Sequence, residues 1–583
     1  MAAPTVLLAT EGTYPFHPGG VSTWCDALVH HLPDVNFVVV AIAMNPYVAV
    51  AFDLPANVKQ VVAIPLWGMQ DPSEHRNELA YSEIFLQKQR TGASEIRELF
   101  LPHFERFLQN LINERPGELG DALAHMYRYF RTYDYQTSFK SPDVWDLYKA
   151  WLMHTTHQGY WRAPSIFESV QGLGWIYHFM TVLNTAIPPG DMVHSSAAAF
   201  CGMVGIVSKL EYGTPYLLTE HGVYLREQYL GIGRSNMTPF SKRFLIALVK
   251  AVSRENLYYA DQLVPVCAFN SRWERVLGGD IEKVHVIYNG VNSKTFHPAD
   301  PPRHLLADPK PLEILSVARI DPNKDLETLL KAIHIVKAAG MPVRLRVLGS
   351  VSVESYNDRV QALARELDLT DIVLFEGHQA EISDAYRTAD IAVQSSVTEA
   401  FPYSVIEAMM SGTPMVATDV GGTREALGPV GLLVPSRNPD EMAAAILTLG
   451  RDHALRARLG AAARIRALQY FEISTAMQAF FDLYHQWQIG RAPQPSVGPL
   501  ATEPALLHVT RALLLRRLNQ PQLALKEYYE ALASLGGHPA AVPILAEVAS
   551  LELTLGHARK GYEQLVKSRL LESLYIQPPR SAS

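Results

Sequence analysis

The sequence predicts an α/β protein built from two Rossmann-like domains in series, with a helical insertion in the first and an all-helical unit near the C-terminal end. Three observations carry that expectation. Short, fully apolar runs alternate with helical patterns through the first half, and the alternation starts again near residue 312. Inside the first series, residues 73–183 form long helical segments rich in Tyr, Trp, Phe and His. Beyond residue 489 the strand pattern stops. Apolar runs of strand length joined by helical crossovers are the signature of parallel sheets covered on both faces.

In chain order, residues 6–9 and 38–43 read as strands, and between them residues 21–32 carry a helical pattern that follows Gly19-Gly20. This is a β-loop-α-β opening. The run between Asp34 and Asp53 is uncharged, but Asn45-Pro46 interrupts it and its β-branched part has strand length, so it reads as a strand and not as a membrane span. Residues 192–194, 216–219 and 262–265 supply further strands of the same sheet, closing a first domain over 1–298. A proline-rich connection, 298–311, leads to a second domain over 310–470 with strands at 312–317, 344–348, 372–375, 391–394 and 415–417. A crossover helix over 471–488 ends it.

Residues 489–504 contain the Pro/Gly/Ser stretch Arg-Ala-Pro-Gln-Pro-Ser-Val-Gly-Pro, a linker by composition. From 505 to 575 the pattern is purely helical with an internal offset of 37, in which Ala512, Leu514 and Leu518 are echoed by Ala549, Leu551 and Leu555, and Asn519 by Gly556. Ala512, Leu515, Ala524, Tyr528 and Ala531 sit where tetratricopeptide repeats place packing residues. A plain pair of helical hairpins gives the same pattern, and the sequence leaves both readings open.

Composition narrows the function classes. The 583 residues are 48% hydrophobic and 19% charged, which excludes disorder for most of the chain. With 51 Lys and Arg against 58 Asp and Glu the net charge is −7, giving no basic excess for nucleic acid. Cys25, Cys201 and Cys267 are odd in number and far apart, so they build neither a disulfide framework nor a zinc site. Together with an N-terminus that lacks a basic start, this reads as a cytoplasmic protein.

The segment from Ser395 to Pro414 carries the most chemistry. Glu399 falls in a loop after an apolar strand and Glu407 lies eight residues on, in a helix that Ser404 is placed to initiate. A helix start offers backbone N–H groups and a positive dipole end to a diphosphate, while carboxylates suit sugar hydroxyls. A second cluster, Arg319 to Lys324, also sits between a strand and a helix, where basic residues are unfavourable unless an anion is present. Gly19-Gly20 permits a close ligand approach but lacks the G-x-G-x-x-G fingerprint, which argues against a dinucleotide. No Asp-x-Asp pair occurs, which fits a site where cations replace a metal ion.

Over roughly residues 5–488 these segments resemble the family-four retaining glycosyltransferases of the GT-B fold, whose Glu-x7-Glu pattern is met by Glu399 and Glu407 and whose basic pair is met by Arg319 and Lys324. The resemblance implies two domains facing a cleft, with Glu399 on donor-sugar hydroxyls, Glu407 on the ribose, Arg319 and Lys324 on the β-phosphate, and the amides near Tyr403, Ser404 and Val405 completing the phosphate site. Where the family often has Gly-Phe-Gly, this chain has Ala400-Phe401-Pro402, and Pro402 removes one amide donor.

The stretch from Glu11 to Trp24, the helical insertion, and Thr219 to Glu227 are similar to the PelF-like exopolysaccharide glycosyltransferases. That likeness implies His221 as an active-site histidine, His194 as a sugar or acceptor contact, Gly19 and Gly20 at the donor, a UDP-sugar donor and a carbohydrate acceptor without cofactor or metal. It also implies an inner-membrane polysaccharide synthase complex as partner; the C-terminal helices over 505–575 are not part of that family's pattern, but repeat helices suit an adaptor, and through them peripheral membrane association is expected. A nucleotide-sugar epimerase or hydrolase would use the same donor site, and a non-catalytic scaffold acting through its helical repeats is the reading from another class.

Overall fold

A computed structural model describes residues 3–69, 79–300, 311–488, 520–535 and 541–555, together with residues 508, 512, 557, 560 and 564. The chain divides into two compact units, one comprising Met1–Val266, Trp273–His285 and Met477–Ser496, the other Cys267–Arg272, Val286–Ala476 and Val497–Ser583.

The first unit holds a six-stranded sheet of β1 (Thr5–Glu11), β2 (Asn36–Ala43), β3 (Val58–Pro65), β4 (Met192–Ser195), β5 (Tyr216–Leu218) and β6 (Gln262–Leu263), ordered β3-β2-β1-β4-β5-β6. All neighbours run parallel. Val6 to Ala9 in β1 and Phe37 to Ala43 in β2 are buried, as expected for strands with helices on both faces. Helix α1 (Gly20–His31) contributes Trp24, Leu28 and Val29 to that core.

Between β3 and β4 lies a helical body that includes Leu101–Asn113, Glu118–Thr132, Pro142–His157 and α2 (Ile166–Phe179). Its centre is aromatic, with Phe100, Phe104, Phe130, Tyr135 and Phe139 buried against one another. The start expected at residue 73 lies outside the described residues. Helices α3 (Tyr224–Arg234) and α4 (Pro239–Tyr259) follow β5.

The second unit repeats the plan with β7 (Leu312–Val317), β8 (Val343–Leu348), β9 (Val373–Gly377), β10 (Ile391–Gln394), β11 (Met415–Thr418) and β12 (Leu432–Val434), ordered β12-β11-β10-β7-β8-β9 and again parallel. Helix α5 (Leu326–Ala338) starts where Asp325, at φ 47°, turns the chain and accepts a hydrogen bond from Thr328 Oγ1 at 2.7 Å. Helix α6 (Tyr403–Met410) follows β10, α7 (His453–Tyr470) closes the series, and α8 (Ile473–Gln488) belongs to the first unit from Met477 onward.

The sequence predicts the two α/β domains and a helical C-terminal region, and the structure has them. In that region Pro521–Leu535 packs on Ala541–Thr554 through Ala524, Tyr528, Ala531, Ile544, Val548 and Leu551, joined by Ala512. The linker at 489–504 and residues Leu514, Leu515, Leu518, Asn519 and Gly556 lie outside the described residues. Among the described residues no helix is long and apolar enough to cross a membrane.

Candidate functional site

Each sheet reverses its strand order beside its own first strand, between β1 and β4 and between β7 and β10. Loops leaving the C-terminal ends of strands diverge at such a point and open a crevice, the usual ligand position in open parallel sheets. The sequence-derived residues of the second unit gather at this reversal. Arg319 and Lys324 lie in the loop after β7, and Glu399 lies in the loop after β10.

Lys324 Nζ donates to Glu399 Oε1 at 2.5 Å, with side chains 23% and 12% exposed. Ser396 Oγ donates to the same oxygen at 2.6 Å, and Ser395 Oγ donates to the carbonyl of Lys324 at 2.7 Å. The two loops are therefore stitched together by an ion pair spanning 75 residues of sequence. Asp321 shapes the first loop by accepting from Asn323 N at 2.8 Å, which winds Pro322–Lys324 into one tight turn. Arg319 is exposed and, among the described residues, holds Ser352 Oγ alone at 3.4 Å, leaving a loosely held cation beside a firmly held one.

Two glycine contacts that the sequence does not advertise support these loops. Gly421, at φ +59°, packs so close that a Cβ would lie 1.7 Å from the carbonyl oxygen of Glu399, and Gly422 N donates to Ala400 O at 2.6 Å. Under the other loop, a Cβ at Gly349 would lie 2.1 Å from Ala318 O. By contrast a Cβ at Gly19 would meet nothing within 4 Å, and its φ of 164° is ordinary extended backbone. Gly19 and Gly20 are exposed at the start of α1.

Glu407 lies in α6, where Tyr386 Oη donates to its Oε2 at 2.9 Å and to Ser404 O at 3.2 Å. Desolvation of the carboxyl outweighs that hydrogen bond and raises its pKa to about 7. The helix begins differently from the sequence expectation. Pro402 occupies the N-cap position without a side-chain cap, and Ser404 lies inside the first turn. Val405 N donates to Pro402 O at 3.2 Å, so this amide is spent within the turn and is not available to a phosphate as expected. Tyr403 and Ser404 remain at the helix start.

In the first unit His221 follows β5 with its ring against the Trp24 indole, centroids 4.5 Å apart. Its Nε2 is buried with no hydrogen-bond partner among the described residues, and burial lowers the ring pKa to about 3, so the imidazole is neutral. His194 corrects the sequence reading. It has no exposed surface, and its Nδ1 and Nε2 pair with Tyr484 Oη at 2.6 Å and Thr219 Oγ1 at 2.7 Å. With both nitrogens engaged it has no atom for a sugar or acceptor; it fastens β4 to β5 and to the end of α8. Glu11, the last residue of β1, is not singled out by the sequence. Its half-buried side chain accepts from Cys201 N and Tyr224 Oη, both at 3.0 Å, and desolvation raises its pKa. Among the described residues no group of three or more His, Cys, Asp or Glu is placed to hold a metal ion.

Comparison with known proteins gives these units relatives. Residues 301–466 match the family model described as glycosyl transferases group 1, and residues 4–282 match a domain of unknown function, DUF3492. The D-inositol 3-phosphate glycosyltransferase of Streptomyces bingchenggensis is 34% identical over 224 residues, which cover 36% of this chain and 49% of that protein. The D-inositol 3-phosphate glycosyltransferase of Thermomonospora curvata is 30% identical over 304 residues, 48% of this chain and 68% of that protein. The chain thus spans about half to two thirds of the length of the curated relatives it matches.

Among solved structures, sucrose-phosphate synthase from Thermosynechococcus elongatus aligns with a TM-score of 0.54 at 19% identity, covering 84% of this chain and 100% of that one. Anabaena HepE, solved in complex with UDP and glucose, aligns with a TM-score of 0.50 at 15% identity over 83% of this chain and 99% of that one. At these identities the likeness is one of fold.

Proposed function

The chain belongs to the group 1 glycosyl transferases, and from that premise we propose that it moves a sugar from a UDP-sugar donor onto a carbohydrate acceptor with retention of anomeric configuration and without a metal ion. The observation that carries the reading is the Lys324–Glu399 pair at the β7/β10 reversal. An ammonium and a carboxylate that hold each other without donor are the two groups a nucleotide-sugar needs apart. The β-phosphate takes Lys324, and Glu399, released from it, accepts hydrogen bonds from the sugar hydroxyls.

As the bond from the anomeric carbon to the diphosphate oxygen breaks, negative charge grows on the leaving group. Lys324 and Arg319 stabilise that charge, which is where preorganised cations contribute most. The amides of Tyr403 and Ser404 at the start of α6 add to the phosphate site, and Glu407 accepts from the ribose. In the first unit, His221 offers a neutral imidazole whose unpartnered Nε2 suits a sugar hydroxyl. Front-face attack by the acceptor hydroxyl on the leaving-group side gives retention.

The proposed acceptor is a growing Pel-type exopolysaccharide, handled in the cytoplasm beside an inner-membrane synthase complex with the C-terminal helices as adaptor. This rests on the motifs around Glu11–Trp24 and Thr219–Glu227. The test is incubation of purified protein with a panel of UDP-sugars, an acceptor oligosaccharide and chelator, followed by proton NMR of the anomeric signal. A sugar on the acceptor with the donor's configuration supports the reading. Free or epimerised sugar points to the hydrolase or epimerase alternative, and absence of UDP binding points to the scaffold.

A further inference from the structure

The helical insertion presents an apolar surface that the fold leaves open. In the first turn of α2, Ile166 is 81% exposed and Phe167 74%, with Val170 54% exposed one turn on. Three large apolar side chains this exposed within the first five positions of one helix exceed the scattered apolar exposure normal for a protein surface. Tyr160 and Met237 are each 39% exposed on the flanking segments.

This surface is held rigidly. Ser165 caps α2, and Glu168 accepts hydrogen bonds from Ser165 N at 2.7 Å and Ser165 Oγ at 2.8 Å. Glu168 also accepts from Thr238 Oγ1, the residue that caps α4 through Ser241 N at 3.3 Å. Ser241 Oγ in turn donates to Gln171 at 3.1 Å, and Trp161 packs on Phe240 and Phe244 with centroids 6.1 and 5.8 Å apart. Two helix N-termini are thereby locked side by side.

The charges within residues 160–170 and 237–243 are lopsided. Arg162 and Arg243 are exposed and Lys242 is half-buried, donating to Gly233 O at 2.8 Å. Among the described residues neither Arg162 nor Arg243 has a carboxylate within ion-pair distance. The acid within these two segments is Glu168, which its hydrogen bonds hold as a carboxylate serving the two caps. This basic spot stands out on a chain whose net charge is −7. Protruding apolar side chains on a segment that also carries Arg162, packed against a helix start that carries Lys242 and Arg243, match the surface of a bilayer bearing anionic headgroups. A second copy of the chain would have to bring the same cations together, which argues against self-association through this face.

We propose that the 160–170 and 237–243 segments form a peripheral membrane-binding site, in which Ile166, Phe167 and Val170 enter the headgroup boundary and Arg162, Lys242 and Arg243 engage anionic lipid. The site lies within the first unit and does not depend on the glycosyl-transfer reading.

The test uses the full chain and large unilamellar vesicles of phosphatidylcholine, with or without phosphatidylglycerol. Cys25, Cys201 and Cys267 are all buried, so Phe167→Cys places a single accessible thiol for an environment-sensitive dye. The proposal predicts co-sedimentation with the anionic vesicles and a blue shift of the dye. Binding falls roughly tenfold or more in Ile166→Asp/Phe167→Asp and in Arg162→Glu/Arg243→Glu, with thermal melting unchanged because all four positions are on the surface. Absence of sedimentation overturns the proposal, as does undiminished binding by Ile166→Asp/Phe167→Asp. A dye shift that follows protein concentration without lipid overturns it in favour of a second copy.

Discussion

Replacing Lys324 by alanine tests whether its ammonium serves the substrate or only its neighbour. In the structure it is bound to Glu399 at 2.5 Å, both side chains largely enclosed, so a purely structural role would make the lysine the counterion of a carboxylate. Under that role Lys324→Ala leaves Glu399 with Ser396 alone and costs about 1–3 kcal/mol of stability. Activity would then be restored by neutralising the partner, because Glu399→Gln removes the charge that needed pairing. In the proposed reaction the lysine's partner in the transition state is instead the leaving diphosphate. Loss of that contact costs on the order of 3 kcal/mol, or about a hundredfold in kcat/KM, whatever stands at 399. The assay is a double-mutant cycle on the initial rate of UDP release, with melting temperature followed in parallel. Lys324→Ala is expected to retain most of its hundredfold loss in the Glu399→Gln background, while the stability penalty shrinks there. A rate of Lys324→Ala/Glu399→Gln within about threefold of Glu399→Gln would refute the contact with the leaving group.

Further predictions concern the surroundings. Burial raises Glu407 to about 7, so the native state holds a proton that the unfolded chain has released above its ordinary value of 4.5; stability therefore falls as pH rises through that window, and Glu407→Gln flattens this part of a urea-midpoint profile. His194 and His221 are lowered to about 3, which has the opposite sign: the unfolded chain takes up protons below about pH 6.5 that the native state refuses, so stability drops on acidification. Gly421→Ala and Gly349→Ala are each expected to cost roughly 2–3 kcal/mol and to lower UDP release, while Gly19→Ala stays within about twofold in activity, measured by chemical denaturation and steady-state rates. Tyr484→Phe, which leaves His194 Nδ1 without its partner, is expected to destabilise by about 1–2 kcal/mol with KM unchanged; a raised KM would restore His194 as a ligand contact.

Which parts are legible in the sequence follows from what a linear pattern records. Strands β1 and β2 are continuous apolar runs because both their faces are covered, and so they announce themselves. Strand β3 escapes detection because it lies at the sheet edge, where Lys59 and Gln60 are exposed and break the run. Strand β12 escapes it because three residues at an edge of the second sheet leave no period to detect.

At the site, Lys324 and Glu399 can each be picked out by their place after a strand. Their pairing cannot, since it is made by strand order and not by spacing. Gly421 and Gly349 look like ordinary loop glycines until the backbones they admit are seen. The reading of His194 fails for a related reason: its partner Tyr484 stands 290 residues away, and only the return of α8 brings the two together. Glu11 is hidden as the polar end of an apolar strand, although a carboxylate closing such a run is a signal worth testing.

The most direct measurement is calorimetric titration of the intact protein with UDP in the presence of chelator, alongside Lys324→Ala. A metal-free donor site at the β7/β10 reversal predicts saturable binding at one site per chain, weakened roughly ten- to hundredfold by the substitution as a charged phosphate contact is lost. Binding that requires a divalent ion, or that Lys324→Ala leaves unchanged, would contradict it.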